Sequence, residues 1–239
     1  MAERFYDPNA ASYAGGRFTL EGDEAHHLGR VRRIGAGEVV EVFDGLGFAT
    51  RAEVIAVGKK SVELQSVGLP LPFHEPPVRL TLATAVPKGD RFDWLVEKAT
   101  ELGVDRLTPL LTERSVVDPG PAKIGRLRRA VIEAAKQCGR NRLMTLDDPR
   151  PWRAVVGDFS GDRAKLIAHP GGAPFGLWPH PEPGAHAVVA VGPEGGLTDS
   201  EIETAEAAGW VRVGLGTHVL RVETAALAAA VRLLALAEA

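Results

Sequence analysis

The proline-rich stretch at residues 69–77 divides the chain into two parts with different sequence patterns. It contains four prolines in nine residues, a composition that favours an extended, semi-rigid connector between folded units. Before it, short β-branched segments alternate with glycine-containing turns, whereas after it apolar runs alternate with amphipathic helical patterns. We therefore predict a first domain at residues 1–70, a linker at 71–77 and a second domain at 78–239.

The first part has the pattern of a small β-barrel. Its apolar segments are short, roughly alternating and bounded by turn residues, as is typical of such barrels. These segments lie at residues 17–20, 38–43, 48–57 and 61–67. The Asp44-Gly45 pair between the second and third segments predicts a hairpin turn.

A short helix is predicted to begin at Asp23. It would project four basic side chains outward: His26, His27, Arg30 and Arg33. Adjacent residues point in different directions on a helix, so the two histidines are not expected to share a metal ion. The cluster would either contact an anion or consist of ordinary surface residues, and the pattern alone leaves both interpretations open.

The second part alternates strands with helices, which implies a parallel sheet with helical crossovers. Its first run, residues 78–85, is rich in apolar residues, as is typical of a strand buried on both faces. Further strands are predicted at 107–111, 164–168, 187–191 and 211–215. Helices are predicted after Asp90, which would cap the first of them, and at residues 124–139.

Two junctions between a strand and a helix lie within residues 187–230. The first is Gly192-Pro193-Glu194-Gly195-Gly196, followed by Thr198 and Glu201 in the spacing of a capping box. The second follows residues 211–215 and leads through Arg221 into the last helix. Open α/β sheets bind ligands beyond the carboxyl ends of their strands, so we expect the functional centre here. The glycines could alternatively serve only to turn the chain.

Charge and composition narrow the classes of function. The formal net charge is −3, yet residues 123–142 contain seven lysines and arginines against one glutamate. Such a segment could hold phosphates or could be a solvated helix face. The single cysteine, Cys138, excludes an intramolecular disulfide and favours a reducing compartment. No apolar run approaches the roughly 20 residues of a membrane span, so we expect a cytoplasmic protein that does not associate with membranes.

Familiar ligand-binding motifs are absent from the sequence. No His/Cys cluster has metal-ligand spacing, so no metal site is expected. The sequence contains neither a GxxxxGK[ST] motif nor a GxGxxG motif after a strand. ATP hydrolysis on a P-loop and dinucleotide binding of the Rossmann type therefore lose support.

Six motifs occur in order along the chain. They are Lys88-Gly89-Asp90, KATELGV at 98–104, ERSV at 113–116, QCGR at 137–140, GPEGG at 192–196 and LRVETA at 220–225. Together with residues 26–33 and 42–45, this ordered set closely resembles the RsmE family of 16S rRNA (uracil-N3)-methyltransferases, in the SPOUT superfamily. The resemblance covers essentially the whole chain, and the ordered set is specific although each motif alone is weak.

The resemblance implies a PUA-like, RNA-binding β-barrel followed by an α/β SPOUT domain with a parallel sheet and a C-terminal trefoil knot. The knot is implied by the resemblance alone, since chains as a rule do not thread their own loops. It further implies S-adenosyl-L-methionine as cofactor, a homodimer, and methylation of uracil N3 in the 16S rRNA of the small ribosomal subunit. Two alternatives stay open: a catalytically inactive RNA-binding or ribosome-assembly protein, and a SPOUT methyltransferase with another RNA target.

By motif position, the resemblance assigns cofactor binding to three loops. Their residues are His169, Pro170, Gly171, Gly192, Pro193, Glu194, Gly195, Gly196, Leu215, Gly216, Val219 and Leu220. Backbone groups of glycine-rich loops can approach a nucleoside where side chains would obstruct it. The residues expected to contact RNA are His26, His27, Arg30, Arg33, Lys88, Arg114 and Arg140.

Methylation at uracil N3 requires loss of the N3 proton, and a nearby cation stabilises the resulting anion. Arg221 is the candidate for this stabilisation or for binding a phosphate, with an ion pair to Glu223 as the structural alternative. Glu194 is the second catalytic candidate, either as a base or as a cap for nearby backbone amides. One stretch departs from the family's pattern, because Thr217-His218 stands where relatives commonly have proline and arginine.

Overall fold

Contacts within the chain define two units. The computed structural model describes residues 2–159, 164–175, 182 and 184–236. One unit comprises Met1–Glu75 and Ala135–Leu143, and the other comprises Pro76–Ala134 and Met144–Ala239. The first change from one unit to the other, after residue 75, lies inside the predicted linker.

Residues 135–143 belong to the first unit, although the sequence pattern assigned them to the second domain. Ala135 packs with Phe43 in a small apolar cluster. The guanidinium of Arg4 donates a hydrogen bond to Asn141, and burial lowers the pKa of that guanidinium. These partners are distant in sequence, so a local pattern contains no signal for the exchange.

The first unit is built on a five-stranded sheet in the order β1-β3-β4-β5-β2. Its elements are β1 (Arg4–Tyr6), a 3₁₀ turn (Ala10–Tyr13), β2 (Arg17–Glu21), α1 (Gly22–His26), a π-helical turn (His27–Val31), β3 (Val39–Phe43), β4 (Ala49–Val57) and β5 (Ser61–Val67). Alternate residues of β2 and β5 are buried, which confirms the predicted period of two. The sequence pattern did not predict β1, because three residues are too few to show a period.

Asp44 organises the connection between β3 and β4. Its Oδ1 accepts hydrogen bonds from the backbone N–H groups of Leu46, Gly47 and Phe48 at 2.7, 3.1 and 3.0 Å. Gly45 and Gly47 have φ of 77° and 124°, a region that favours glycine. The predicted Asp44-Gly45 turn is therefore present, but as a longer loop that an aspartate side chain closes.

The second unit contains a sheet whose described strand pairs are all parallel, in the order β12-β10-β11-β6-β7-β8 with β9 also beside β7. Its elements are β6 (Arg79–Ala85), α2 (Arg91–Glu101), β7 (Arg106–Leu111), α3 (Pro121–Cys138), β8 (Thr145–Leu146), β9 (Arg150–Pro151), α4 (Trp152–Asp158), β10 (Ala164–Pro174), β11 (His186–Val191), α5 (Asp199–Ala207), β12 (Val211–Gly214) and α6 (Val222–Leu236). Every residue of β6 except Arg79 is buried, as predicted for a strand covered on both faces. The predicted parallel α/β architecture is confirmed.

The helix starts agree with the sequence at α2 and α5 and differ by one residue at α1. Thr198 Oγ1 accepts from the backbone N–H of Glu201, and the Glu201 carboxylate accepts from the Thr198 N–H at 2.9 Å, which completes the capping box. Asp90 is the N-cap residue of α2, as predicted, although its side chain makes no capping hydrogen bond. Helix α1 begins at Gly22, one residue before the predicted start at Asp23. Among the helices of the described ranges, none combines the length and apolarity that a membrane crossing needs.

Candidate active site

The glycine-rich turn after β11 is fixed from two sides. The N–H of Gly196 donates to the Pro193 carbonyl at 2.8 Å, and Gly196 has φ of 72°. Arg114 Nη1 donates to the carbonyl of Gly195 at 2.8 Å. Leu197, the next residue, is buried in an apolar cluster of the core. These contacts hold the turn in a defined conformation directly after the end of β11, where it forms one wall of the cavity described below.

A bulge in β10 forms a second wall of the same cavity. Ala168 and Ala173 both register against Val213 of β12, so the four residues between them leave the strand ladder. Gly172, inside this bulge, lies so close to β12 that an added Cβ would stand 2.5 Å from backbone atoms of Val213. Only glycine permits this approach, which brings the bulge and the end of β12 together.

A cavity of about 580 Å³ is lined by the turn, the bulge and the chain that precedes α6. Its volume is within the range typical of small-molecule sites. Eleven of the twelve residues predicted to bind the cofactor line it: His169, Pro170, Gly192, Pro193, Glu194, Gly195, Gly196, Leu215, Gly216, Val219 and Leu220. The twelfth, Gly171, is not part of the lining and donates its N–H to His169 Nδ1 at 3.0 Å. The cavity thus assembles residues from three separate segments, and their role in cofactor binding stays a prediction.

The remaining lining consists of residues that were not predicted to bind the cofactor. They are Ala168, Val191, Leu197, His218, Val222 and Ala225, together with the RNA candidate Arg114 and the catalytic candidate Arg221. Ala168, Val191 and Leu197 lie directly next to predicted cofactor loops, and Val222 and Ala225 lie in the motif at 220–225, so these positions were the available signal. In the part of the chain that the structure describes, no group of three or more His, Cys, Asp or Glu side chains is arranged to hold a metal ion.

Arg221 and Glu223 do not form the ion pair considered as the structural alternative. The exposed side chain of Arg221 has no hydrogen-bond or ion-pair partner among the described residues. Glu223 instead lies 3.6 Å from Nη1 of Arg91, whose Nη2 lies 3.7 Å from Glu194. Arg91 was missed from the sequence; its one signal was its place directly after the Lys88-Gly89-Asp90 motif. Arg221 therefore lines the cavity without a hydrogen-bond or ion-pair partner among the described residues. Arg91, which lies next to the cavity residue Glu194, forms ion pairs with two carboxylates.

The residues predicted to bind RNA differ in exposure. Those with exposed side chains are His26, Arg30 and Arg33 in the first unit, and Lys88 and Arg114 in the second. His27 is half-buried, with Nδ1 3.3 Å from the ammonium of Lys136, which also donates to Glu24 at 2.9 Å. An ammonium group has only donors, so Nδ1 of His27 is the acceptor and its ring proton lies on Nε2.

Arg140 does not occupy the surface position that the basic segment predicted. Its residue exposure is 7%, and its Nε and Nη2 donate to the two carboxylate oxygens of Glu75 at 2.9 and 2.6 Å. This two-point ion pair neutralises the guanidinium inside the first unit. The structure therefore gives Arg140 a structural role in place of the predicted phosphate contact.

We expect Arg140→Ala to lower the free energy of unfolding by about 3 kcal/mol, because it leaves the carboxylate of Glu75 without its buried partner. Adding Glu75→Gln should recover most of this loss, since the unpaired charge is removed. Urea unfolding of both single variants and the double variant tests this. Arg129→Ala, at an exposed position of α3, is the control and should change stability by less than about 0.5 kcal/mol. Weaker RNA binding by an Arg140→Ala protein of unchanged stability would contradict the structural role.

The chain matches two family models. One describes an RNA methyltransferase domain and matches residues 74–234, and the other describes an RNA methyltransferase PUA domain and matches residues 20–65. The ribosomal RNA small subunit methyltransferase E of Synechocystis sp. is 35% identical over 225 residues, which cover 92% of this chain and 73% of that protein. The enzyme of the same name from Bacillus subtilis is 30% identical over 221 residues, covering 88% and 86%. This chain belongs to the ribosomal RNA small subunit methyltransferase E family.

Solved structures similar to this chain include a member of the same family. The crystal structure of ribosomal RNA small subunit methyltransferase E from Neisseria gonorrhoeae, bound to S-adenosylmethionine, has a TM-score of 0.89 and 32% identity, covering 96% of this chain and 95% of that one. A putative methyltransferase from Legionella pneumophila, also with bound S-adenosylmethionine, has the same TM-score and identity and covers 98% of each chain. The predicted SPOUT-type α/β fold with an N-terminal PUA-like domain is confirmed, and the trefoil knot stays a prediction.

Proposed function

We propose that this protein uses S-adenosylmethionine to methylate N3 of one uridine in the 16S rRNA of the small ribosomal subunit. The observation that carries the proposal is the cavity of about 580 Å³ beyond the carboxyl ends of β11 and β12 and beside the bulge of β10. The side chain of Arg221, which has no hydrogen-bond or ion-pair partner among the described residues, lines it. Ligands of open α/β sheets bind at this edge. Membership of the methyltransferase E family, whose name states the rRNA substrate, supports the same reaction.

The residues of the cavity suit S-adenosylmethionine. A Cβ added at Gly196 or Gly216 would meet no protein atom within 4 Å, so the missing side chains leave room in the cavity that both residues line. Their backbone N–H and C=O groups are suited to hydrogen-bond the polar edges of adenine and ribose. The apolar side chains of Leu197, Leu220 and Val222 offer surfaces for the faces of the base. When bound, the cofactor supplies an electrophilic methyl group on a cationic sulfur.

The chain's own residues have two tasks, alignment and charge stabilisation. A displacement at a methyl group needs the attacking nitrogen to be in line, and fixed walls provide such orientation. The uracil N3 must lose its proton to solvent before it attacks, and Arg221 stabilises the resulting negative charge. Glu194 lines the same cavity but contacts Arg91, which favours a positioning role for its carboxylate over that of a base.

Exposed basic side chains in each unit supply the contacts for RNA. In the first unit these are His26, Arg30 and Arg33, and in the second Lys88 and Arg114. Each bears a positive charge or a hydrogen-bond donor suited to phosphate oxygens. His27 would add one fixed donor, the Nε2–H that its contact with Lys136 implies.

The proposal includes a homodimer acting in the cytoplasm, where the small ribosomal subunit is assembled. The family resemblance supports the dimer, because the active site of these enzymes lies near a subunit interface. Analytical ultracentrifugation at micromolar concentration tests this part of the proposal. A sedimenting species with the mass of a single chain would contradict it.

We expect purified protein to transfer labelled methyl groups from S-adenosylmethionine to small subunits isolated from a strain that lacks the gene. The label should lie on N3 of a single uridine of 16S rRNA, as mapped by nuclease digestion and mass spectrometry. Gly195→Val is the matched control. Its Cβ would stand 3.4 Å from Arg114 Cδ, an ordinary contact, so the variant should fold, while the bulk added to the cavity wall should abolish cofactor binding.

Other outcomes would assign the protein to another class. Label on a different RNA would identify a SPOUT methyltransferase with another target. Cofactor-independent binding to small subunits without any label would identify an RNA-binding or assembly protein. Retention of cofactor affinity by Gly195→Val would contradict the position of the site.

A further inference from the structure

Arg91, the first residue of α2, contacts three segments of the second unit with one guanidinium group. Its Nε donates to the carbonyl of Lys88 at 3.1 Å, in the loop that follows β6. Its Nη1 lies 3.6 Å from the carboxylate of Glu223, in the first turn of α6. Its Nη2 lies 3.7 Å from the carboxylate of Glu194, in the turn that follows β11. Each nitrogen of the group thus contacts a different segment.

Two of those segments are walls of the cavity. Glu194 lines it directly, and Val222, which also lines it, immediately precedes Glu223 in α6. Glu223 itself does not line the cavity. Its side chain can affect the cavity only by fixing the position of the first turn of α6, which contains Val222. A cation within ion-pair distance of both carboxylates therefore favours a short separation between the turn and the start of α6.

The two ion pairs differ in burial. The side chain of Glu223 is 8% exposed, whereas those of Arg91 and Glu194 are 36% and 43% exposed. Oε2 of Glu223 is buried and accepts no hydrogen bond from any described residue. A buried carboxylate with so few partners depends strongly on its one cation, while an exposed ion pair contributes little to stability. Loss of Arg91 should thus have two separable effects, one on stability through Glu223 and one on the turn through Glu194.

We propose that Arg91 is a positioning residue of the cofactor site, which holds Glu194 and its glycine-rich turn against the first turn of α6. The inference rests on the proposed function, since it takes the cavity to be the site of S-adenosylmethionine. Arg91 contacts neither the reacting atoms nor, in this arrangement, the cavity itself. Its effect is on how well the wall is organised before the cofactor binds.

The test separates this role from a merely structural one by restoring stability without restoring the contact to Glu194. The variants are Arg91→Met, Glu223→Met, the double variant, and Glu194→Gln with and without Arg91→Met. Because Oε2 of Glu223 accepts no hydrogen bond from the described residues, the methionine substitution removes none at that atom. Arg106→Met is the matched control, since Arg106 is also half-exposed and ion-paired to a more buried carboxylate, that of Asp147, at 2.5 Å. Thermal unfolding and calorimetric titration with S-adenosylhomocysteine are measured for each protein.

We expect Arg91→Met to lower the midpoint of thermal unfolding, and the double variant with Glu223→Met to regain most of it. The affinity for S-adenosylhomocysteine should fall about threefold to fivefold in Arg91→Met, a loss of the size expected for an exposed ion pair. It should stay low in the double variant. In the Glu194→Gln background, adding Arg91→Met should lower affinity no further. Steady-state kinetics should show a raised KM for the cofactor with kcat little changed. Arg106→Met should keep wild-type affinity.

Recovery of both stability and affinity in the double variant would overturn the inference, because Arg91 would then act only by neutralising Glu223. An unchanged affinity in Arg91→Met would overturn it as well. Failure of the proposed function has a different signature. In that case the unaltered protein would not bind S-adenosylhomocysteine, whereas the changes in unfolding midpoint would still be observed.

Discussion

Replacing Arg221 with methionine is expected to lower the rate of methyl transfer at saturating cofactor and RNA by about 10²- to 10³-fold. The affinity for S-adenosylhomocysteine should change by less than about twofold, because the predicted contacts to the cofactor in this segment come from backbone groups. The side chain of Arg221 lines the cavity, is exposed and has no partner among the described residues. Its charge is therefore available for the anion that forms when uracil N3 loses its proton.

Two further variants test whether the fall in methyl-transfer rate is caused by removing the positive charge at residue 221. Arg221→Lys keeps a cation and should recover part of the rate, although a lysine cannot reproduce the planar donors of a guanidinium. Arg232→Met, in the helix α6 that follows Arg221, removes an arginine that lies 5.7 Å from the ring of Phe175 and is not part of the cavity lining. It should keep the wild-type rate. A parallel fall in rate and cofactor affinity for Arg221→Met would mean that Arg221 binds the cofactor.

The parts of the site that lie close together in sequence could be predicted, because their signals are local. The glycine-rich turn, with Thr198 and Glu201 in capping-box spacing, predicts where a strand ends and a helix begins, and the structure confirms both. Alternation of apolar strands and amphipathic helices likewise predicted the parallel sheet. The ordered motifs predicted the family and assigned twelve residues to cofactor binding. In the structure, eleven of these residues line one cavity.

Side-chain partners that are distant in sequence could not be predicted. Arg140 stands in a segment rich in cations, and nothing in that pattern indicates its buried pair with Glu75, sixty-five residues away. Arg91 has no local signal for contacts with Glu194 and Glu223, which follow it in the chain only after the five strands β7 to β11. Charge patterns show where cations occur, but whether a cation is neutralised depends on tertiary packing.

The close approach of the β10 bulge to β12 is a second long-range feature, and it underlies a prediction about Gly172. We expect Gly172→Ala to lower the free energy of unfolding by about 2–3 kcal/mol, since its Cβ would overlap backbone atoms of Val213. A flexible side chain could move aside, but a backbone within a parallel strand pair cannot do so without losing its register. Urea unfolding measures the change. Gly125→Ala is the matched control, because a Cβ at this position of α3 meets nothing within 4 Å and should stabilise the helix by about 0.5–1 kcal/mol.

The same substitution tests whether the bulge shapes the cavity. Leu215 and Gly216 line the cavity directly after β12, so displacement of Val213 by Gly172→Ala should move them and weaken S-adenosylhomocysteine binding by at least about tenfold. The affinity should fall even at temperatures where the variant is fully folded, which separates a distorted site from partial unfolding. A destabilised variant with wild-type affinity would show that the cavity does not depend on this contact. A Gly172→Ala protein as stable as the unaltered one would contradict the close approach itself, because a methyl group 2.5 Å from a peptide backbone leaves no room for both.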